Sequence, residues 1–171
     1  MEYLTRYSSP IGELTLVSDG HALTGLRFES GAQAFRPQTE YEENPGLPVF
    51  DASARWLDRY FSGQIPGVTP PLSFPDSTPF RRLIQELLQE IPYGSTVSYG
   101  ELAQRAARRM GTPRMSAQAV GSACARNPIP IFVPCHRVIG ADGSLTGYAG
   151  GLAKKQFLLE LESRAAVSLH E

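Results

Sequence analysis

The sequence predicts an α/β protein in two parts: a small antiparallel sheet with one helix in residues 1–75, and a helical part with a helix-turn-helix in residues 76–171. Three observations carry this. Short strand-like runs between turn signals fill the first thirty residues, prolines crowd the stretch from Gly63 to Pro79, and apolar residues recur at helical spacing beyond it.

In chain order, Glu2–Ser8, Glu13–Ser18 and Leu23–Phe28 are predicted strands, separated by Ser9-Pro10-Ile11-Gly12 and Asp19-Gly20-His21-Ala22. The Pro, Gly and Asp residues of those separators favour turn conformations. Residues 29–48 show no firm pattern. Asp51–Ser62 is a predicted helix with Ala54, Leu57, Tyr60 and Phe61 on one face and Gly63 as its stop. Pro66, Pro70, Pro71, Pro75 and Pro79 then exclude regular structure, because proline lacks the N–H and locks φ, and a domain boundary is expected there.

The second part opens with Thr78 as N-cap and Pro79 at the first helical position. Phe80, Leu83, Ile84, Leu87, Leu88 and Ile91 form one apolar face, ended by Pro92-Tyr93-Gly94. Ser98-Tyr99-Gly100-Glu101 matches a capping box and starts a helix to about Met110. After Gly111, Thr112-Pro113 signals another cap and first turn, with a helix reaching Arg126 before Asn127-Pro128 stops it. Two short helices joined by a tight turn form a helix-turn-helix candidate. The second carries Ala117, Ala119, Gly121, Ser122, Ala123 and Ala125, a surface of little bulk that suits close packing on a partner helix or close approach to DNA. A last helix is predicted from about Leu152 to Arg164.

Composition narrows the function. With 171 residues and 42% apolar content the chain can bury a core. No apolar run approaches the ~20 residues of a membrane helix, and the start lacks a basic segment followed by an apolar one, so no membrane association and an intracellular location are expected. Net charge is −1, but residues 1–75 hold 5 basic and 9 acidic side chains while residues 76–160 hold 10 basic and 6 acidic. A basic second part suits a polyanion, although a solvated surface would look the same. Cys124 and Cys135 are the two cysteines; with His21 and His170 at distant ends they make no zinc spacing, and neither a disulfide nor a metal is expected.

The chemistry concentrates at Pro134-Cys135-His136-Arg137-Val138, after the apolar run Ile129–Val133. A thiol in apolar surroundings is inert, whereas one coupled to an imidazole can be drawn toward thiolate. If Val133–His136 is extended, neighbouring side chains point to opposite faces, so coupling runs through water and needs a carboxylate or carbonyl on the other imidazole nitrogen.

Ser98-Tyr99-Gly100-Glu101, Asn127-Pro128, Pro134-Cys135-His136-Arg137-Val138-Ile139-Gly140 and Thr146-Gly147-Tyr148-Ala149-Gly150-Gly151 occur together in this order. The set resembles the O6-alkylguanine-DNA alkyltransferases, strongly over residues 78–163 and in general layout before that. The resemblance implies a ribonuclease-H-like N-terminal part and a winged-helix-like C-terminal part. It also implies direct-reversal repair of double-stranded DNA carrying O6-alkylguanine, by a monomer without cofactor, in the cytoplasm with access to chromosomal DNA.

Residue by residue, it implies that Cys135 accepts the alkyl group in a single irreversible turnover, and that His136, oriented by Glu162, takes the thiol proton through water. Asn127 ties the recognition helix to the active-site turn. Tyr99 lies beside the target nucleotide and protonates the departing guanine. Tyr148 stacks on the extruded base, and backbone at Val138, Ala149 and Gly150 reads its edge. Ala119 and Gly121 flank the recognition surface. Two departures stand out. Gln118 occupies the place of the arginine that fills the gap left by the base, with Arg114 four residues earlier as a partial substitute on the same helix face, and Gln85 stands where relatives often carry tryptophan. Arg137 is expected to bridge toward the N-terminal part, and Cys124 to be a small core residue. Two other readings stay open: a non-enzymatic sensor of alkylated DNA, and a Cys-His hydrolase of small esters or amides.

Overall fold

The computed structural model describes residues 1–29 and 40–169, with side chains up to residue 165, so His170 lies outside the described residues. Strands β1 (Glu2–Ser9) and β2 (Gly12–Ser18) form an antiparallel hairpin, and β3 (Leu23–Phe28) continues it antiparallel to β2. Ser9 Oγ accepts from the Ile11 N–H in the first turn, and Asp19 Oδ1 accepts from His21 and Ala22 N–H in the second. A fourth strand, β4 (Tyr41–Glu43), pairs parallel to β1, giving the order β3-β2-β1-β4. The sheet is therefore mixed rather than wholly antiparallel. Three residues are too few for an alternation to show, so β4 has no signature in the sequence.

Helix α1 (Pro48–Phe61) starts three residues earlier than expected, because Pro48 serves as its first residue and Leu47 caps it without a side-chain hydrogen bond. Its buried face is Val49, Phe50, Ser53, Trp56, Leu57 and Tyr60, while Ala54 is only half-buried. The proline-rich segment that follows lies along β3: Leu23 N–H donates to Pro71 O at 2.8 Å, and Ser73 N–H donates to Leu23 O at 2.9 Å. β3 is also stitched to the loop before the thiol, since Leu26 N–H and Arg27 Nη1 both donate to Pro128 O at 2.9 Å.

Helix α2 (Pro79–Gln89) is capped by Thr78, whose Oγ1 accepts from Arg81 N–H. Strand β5 (Val97–Ser98) leads into α3 (Tyr99–Met110), where Ser98 Oγ accepts from Glu101 N–H and Gly111 ends the helix in the left-handed region at φ 68°. Gln85 is buried on α2, with Nε2 donating to Ser77 Oγ at 3.0 Å and Oε1 lacking a protein partner.

Helix α4 (Ala117–Ala125) is capped by Ser116, not Thr112. The Thr112 hydroxyl instead donates to Arg114 O at 3.2 Å, closing a turn around Pro113. Arg114 consequently lies in the loop ahead of α4 and shares no helix face with Gln118, which corrects that expectation.

Residues 133–136 are not extended either. Cys135–Arg137 form one 3-10 turn, followed by β6 (Val138–Ile139) paired parallel with β5, and then α5 (Leu152–Leu169). One apolar core runs through the whole fold, joining Leu14, Leu26 and Phe28 of the sheet to Trp56 and Tyr60 of α1 and to Ile84, Leu88, Val133 and Leu158 beyond the proline-rich segment.

Candidate active site

The loop between α4 and the 3-10 turn sets the thiol in place. Asn127 Nδ2 donates to Val133 O at 2.8 Å while its Oδ1 accepts from Ile129 N–H at 3.1 Å, so one side chain clamps both ends of the loop. Within the clamp Ile131 sits at φ 74°, costly for a β-branched residue and sustained only where the surroundings over-determine it. Cys135 is next, its N–H donating to the same Val133 O at 2.8 Å. Burial pushes the Cys135 thiol up, opposed by the Asn127 hydrogen bond and the Lys155 charge. At neutral pH it is a protonated thiol that needs a base.

His136 is fully buried. Its Nε2 pairs with Glu162 Oε2, while Nδ1 has no hydrogen-bond partner in the protein. Burial holds the imidazole pKa below its ordinary value, so the ring is neutral and Nε2–H donates to the carboxylate.

Glu162 accepts four hydrogen bonds: on Oε1 from Arg137 Nε at 2.7 Å and Gly94 N–H at 3.2 Å, on Oε2 from the Tyr60 hydroxyl at 2.6 Å and from His136. Burial alone would raise its pKa, but the His136 hydrogen bond and the Arg137 guanidinium outweigh it and lower the carboxyl to about 2.

Arg137 does not bridge to the N-terminal part. Its Nη1 donates to Ile91 O at 2.8 Å and its guanidinium lies over the Tyr93 ring at 5.6 Å, both in the C-terminal part. A buried cation takes the nearest desolvated acceptors, here the Glu162 carboxylate and the Ile91 carbonyl just past the end of α2. The side chain that joins Glu162 to the N-terminal part is Tyr60 instead.

A cavity of about 300 Å³ opens beside the thiol, lined by Tyr99, Gly121, Cys124, Ala125, Cys135, Gly147, Tyr148 and Ala149. It sits at the lower end of small-ligand pocket sizes. Tyr148 presents its ring edge-on to Phe28 at 5.8 Å and to His136 at 6.4 Å, and its buried hydroxyl lacks a protein partner. Tyr99 is half-buried, and burial raises the pKa of its hydroxyl. Gly150 packs so closely on Phe28 that a Cβ there would come within 3.1 Å of the ring. Gln118 and Arg114 are exposed and do not line the cavity, Ala119 is half-buried, and Val138 is buried behind it with its carbonyl engaged by Lys155. Cys124, expected as core filler, is buried but also lines the cavity, and burial beside Cys135 pushes its thiol up to about 12.

Lys155 and Tyr60 are the residues that sequence reasoning missed. Lys155 is fully buried and Nζ donates at 2.7 Å to both Val138 O and Thr146 O, pinning the cavity loop to β6. Its signal was present: 155, 158, 162 and 165 share the buried face of α5, so a charged residue stands in an apolar stripe. Among the described residues no group of three or more His, Cys, Asp and Glu side chains is placed to hold a metal.

Fold and site together define a helix-turn-helix protein with a thiol at the wall of a small cavity and, at the next position in the chain, an imidazole buried against a carboxylate. The model of the 6-O-methylguanine DNA methyltransferase DNA-binding domain matches residues 79–164, and that of the ribonuclease-like domain of the same proteins matches residues 3–74. The chain belongs to the 6-O-methylguanine DNA methyltransferase family.

A protein of Haemophilus influenzae named methylated-DNA–protein-cysteine methyltransferase is 40% identical over 160 residues, covering 94% of this chain and 86% of the relative. One of Mycolicibacterium paratuberculosis with the same name is 46% identical over 165 residues, covering 96% and 93%. In structure the chain is similar to Mycobacterium tuberculosis OGT crystallised with DNA, with a TM-score of 0.84, 40% identity and coverage of 95% of this chain and 94% of that one. The O6-methylguanine-DNA methyltransferase of Pyrococcus kodakaraensis follows at a TM-score of 0.61 and 28% identity, covering 95% and 99%.

Proposed function

We propose that this chain repairs O6-alkylguanine in double-stranded DNA by direct reversal, with Cys135 as the acceptor in one irreversible turnover. The observation that carries it is the cavity-lining Cys135 followed by His136 buried against Glu162, in a chain whose relatives are named as methyltransferases acting on methylated DNA. Neutral His136 takes the thiol proton through a bridging water at Nδ1, the nitrogen left unpaired, while Glu162 holds Nε2. The Sγ–carbon bond forms as the carbon–O6 bond breaks, and the departing guanine receives a proton from Tyr99. The thioether is stable, so the reaction ends there and uses no cofactor.

Reaching the thiol requires flipping the base out of the duplex, at a few kcal/mol. Tyr148 stacks on it, and backbone at Ala149, Gly150 and Val138 contacts its edge, the Val138 carbonyl with only the lone pair that Lys155 leaves free. Gly121 and Ala119 let α4 approach the duplex closely, Gln118 on its exposed first turn fills the gap, and Arg114 meets phosphate from the loop before it. In this reading the chain divides between residues 75 and 76 and works as a monomer in the cytoplasm, with access to chromosomal DNA. Among the described residues no helix is long and apolar enough to cross a membrane.

The test incubates the protein with a duplex carrying O6-methylguanine, measures intact mass and maps the modified peptide. One methyl group per chain, on Cys135, is expected. Binding without transfer would overturn the proposal in favour of a sensor of alkylated DNA, and the absence of both binding and transfer would overturn it altogether.

A further inference from the structure

We infer that Tyr60 is a positioning residue for the reaction: its hydroxyl, brought from the N-terminal part, fixes the Glu162 oxygen on which His136 is oriented. The inference rests on the alkyl-transfer reading above. Tyr60 lies on the last turn of α1, is fully buried, donates to Glu162 Oε2 at 2.6 Å and stands 3.4 Å from His136 Nε2. The other three donors to Glu162, from Gly94, His136 and Arg137, all belong to the C-terminal part. Among the described residues Tyr60 is the one side chain of residues 1–75 with a hydrogen bond into the relay.

The ring is held so that the hydroxyl has little choice of direction. It stacks on Trp56 at 5.4 Å and 6°, and Trp56 stacks on Phe132 at 4.4 Å, three residues before the thiol. Phe61, Tyr93 and His136 close on its edges at 5.3, 6.1 and 6.5 Å. A phenylalanine would serve this packing equally well, so the hydroxyl answers a different need.

That need is visible at Oε2. When His136 takes the thiol proton, an imidazolium forms against the carboxylate, and Nδ1 is aimed at the bridging water only while Oε2 holds Nε2 in place. Tyr60 occupies one lone pair of Oε2, lowers its basicity and keeps the oxygen in line with Nε2. The charged and titratable groups facing His136 and Glu162 are Arg137, Lys155, Tyr60, Tyr93 and Tyr148, and Tyr60 is the neutral donor among them that reaches the shared oxygen.

Tyr60→Phe keeps the ring and removes the donor. Single-turnover methyl transfer at pH 7 should fall about tenfold, the loss expected of one hydrogen bond to a charged group. The acid limb of the pH–rate profile should move upward, because a more basic Oε2 favours the imidazolium. The same upward shift should appear in an NMR titration of His136 in the free protein, which needs no DNA. Replacing Tyr60 by 3-fluorotyrosine, a more acidic phenol in the same packing, should move the His136 titration downward. Trp56→Phe, which loosens the stack and leaves the hydroxyl, should lower Tm and leave the His136 titration unchanged. An unmoved His136 titration in both Tyr60 variants, or a shift in Trp56→Phe as large as in Tyr60→Phe, overturns the inference. A wild-type protein that transfers no methyl group while the titrations shift as expected would instead fail the alkyl-transfer reading.

Discussion

Replacing Glu162 by glutamine removes one charge from the best-buried carboxylate among the described residues and changes its volume little. The carboxylate is 1% exposed and accepts four hydrogen bonds, one of them from the Arg137 guanidinium. Burial opposes ionisation, but the His136 hydrogen bond and the Arg137 guanidinium lower the carboxyl from 4.5 to about 2, so the ionised form stabilises the folded state. Removing one partner of a buried ion pair costs about 3–5 kcal/mol, because the other charge is left unpaired. A loss of about 3 kcal/mol near neutral pH, the lower end, is expected because glutamine keeps one acceptor oxygen. Because the folded pKa is depressed, the stabilisation is fully present above about 4.5 and is lost as pH falls toward 2. Urea unfolding from pH 7 to pH 2.5 should show wild type and Glu162→Gln furthest apart above pH 5 and converging below pH 4. A gap that stays constant with pH, or one under about 1 kcal/mol at pH 7, would refute the reasoning. Transfer should slow as well, since His136 loses its anionic partner.

Asn127→Ala strips the Ile129 N–H of its acceptor and frees the strained Ile131 loop, so a destabilisation of about 2 kcal/mol in urea is expected together with slower transfer to Cys135. Gln118→Arg should speed repair of duplex substrate; an equal or slower rate would show that the exposed start of α4 does not limit extrusion. Arg114→Ala should weaken duplex binding and lower the slope of log affinity against log salt by about one phosphate contact. Cys124, with its thiol near 12, is about one part in 10⁵ thiolate at pH 7 and lacks the imidazole relay. Peptide mapping after transfer should find no methyl group on it, and Cys124→Ala should keep the one-to-one stoichiometry.

The legible parts of the fold are those written in neighbouring residues. β1, β2 and β3 lie within one residue of their predicted bounds, and Thr78 and Ser98 cap the helices they were expected to cap. Where two local signals compete, the sequence cannot rank them. Thr112 and Ser116 are both acceptable N-caps, and the turn closed by Thr112 onto Arg114 O decides for Ser116. The same limit hid the start of α1, where Pro48 opens a helix with no capping side chain before it.

The site divides in the same way. The ordered strings around Tyr99, Asn127, Cys135 and Tyr148 determine the family by themselves, because each is short and keeps its residues adjacent. Which groups surround Glu162 was decided only by the tertiary structure: Tyr60 stands 102 positions away, Gly94 68 and Arg137 25. A buried carboxylate must be met by donors wherever the fold can bring them out of water, and nothing local to Glu162 encodes which they are. The sequence alone thus determined the nucleophile string and its family, while the packing of α1 against α5 and the 3-10 turn decided that the relay is completed from the other end of the chain.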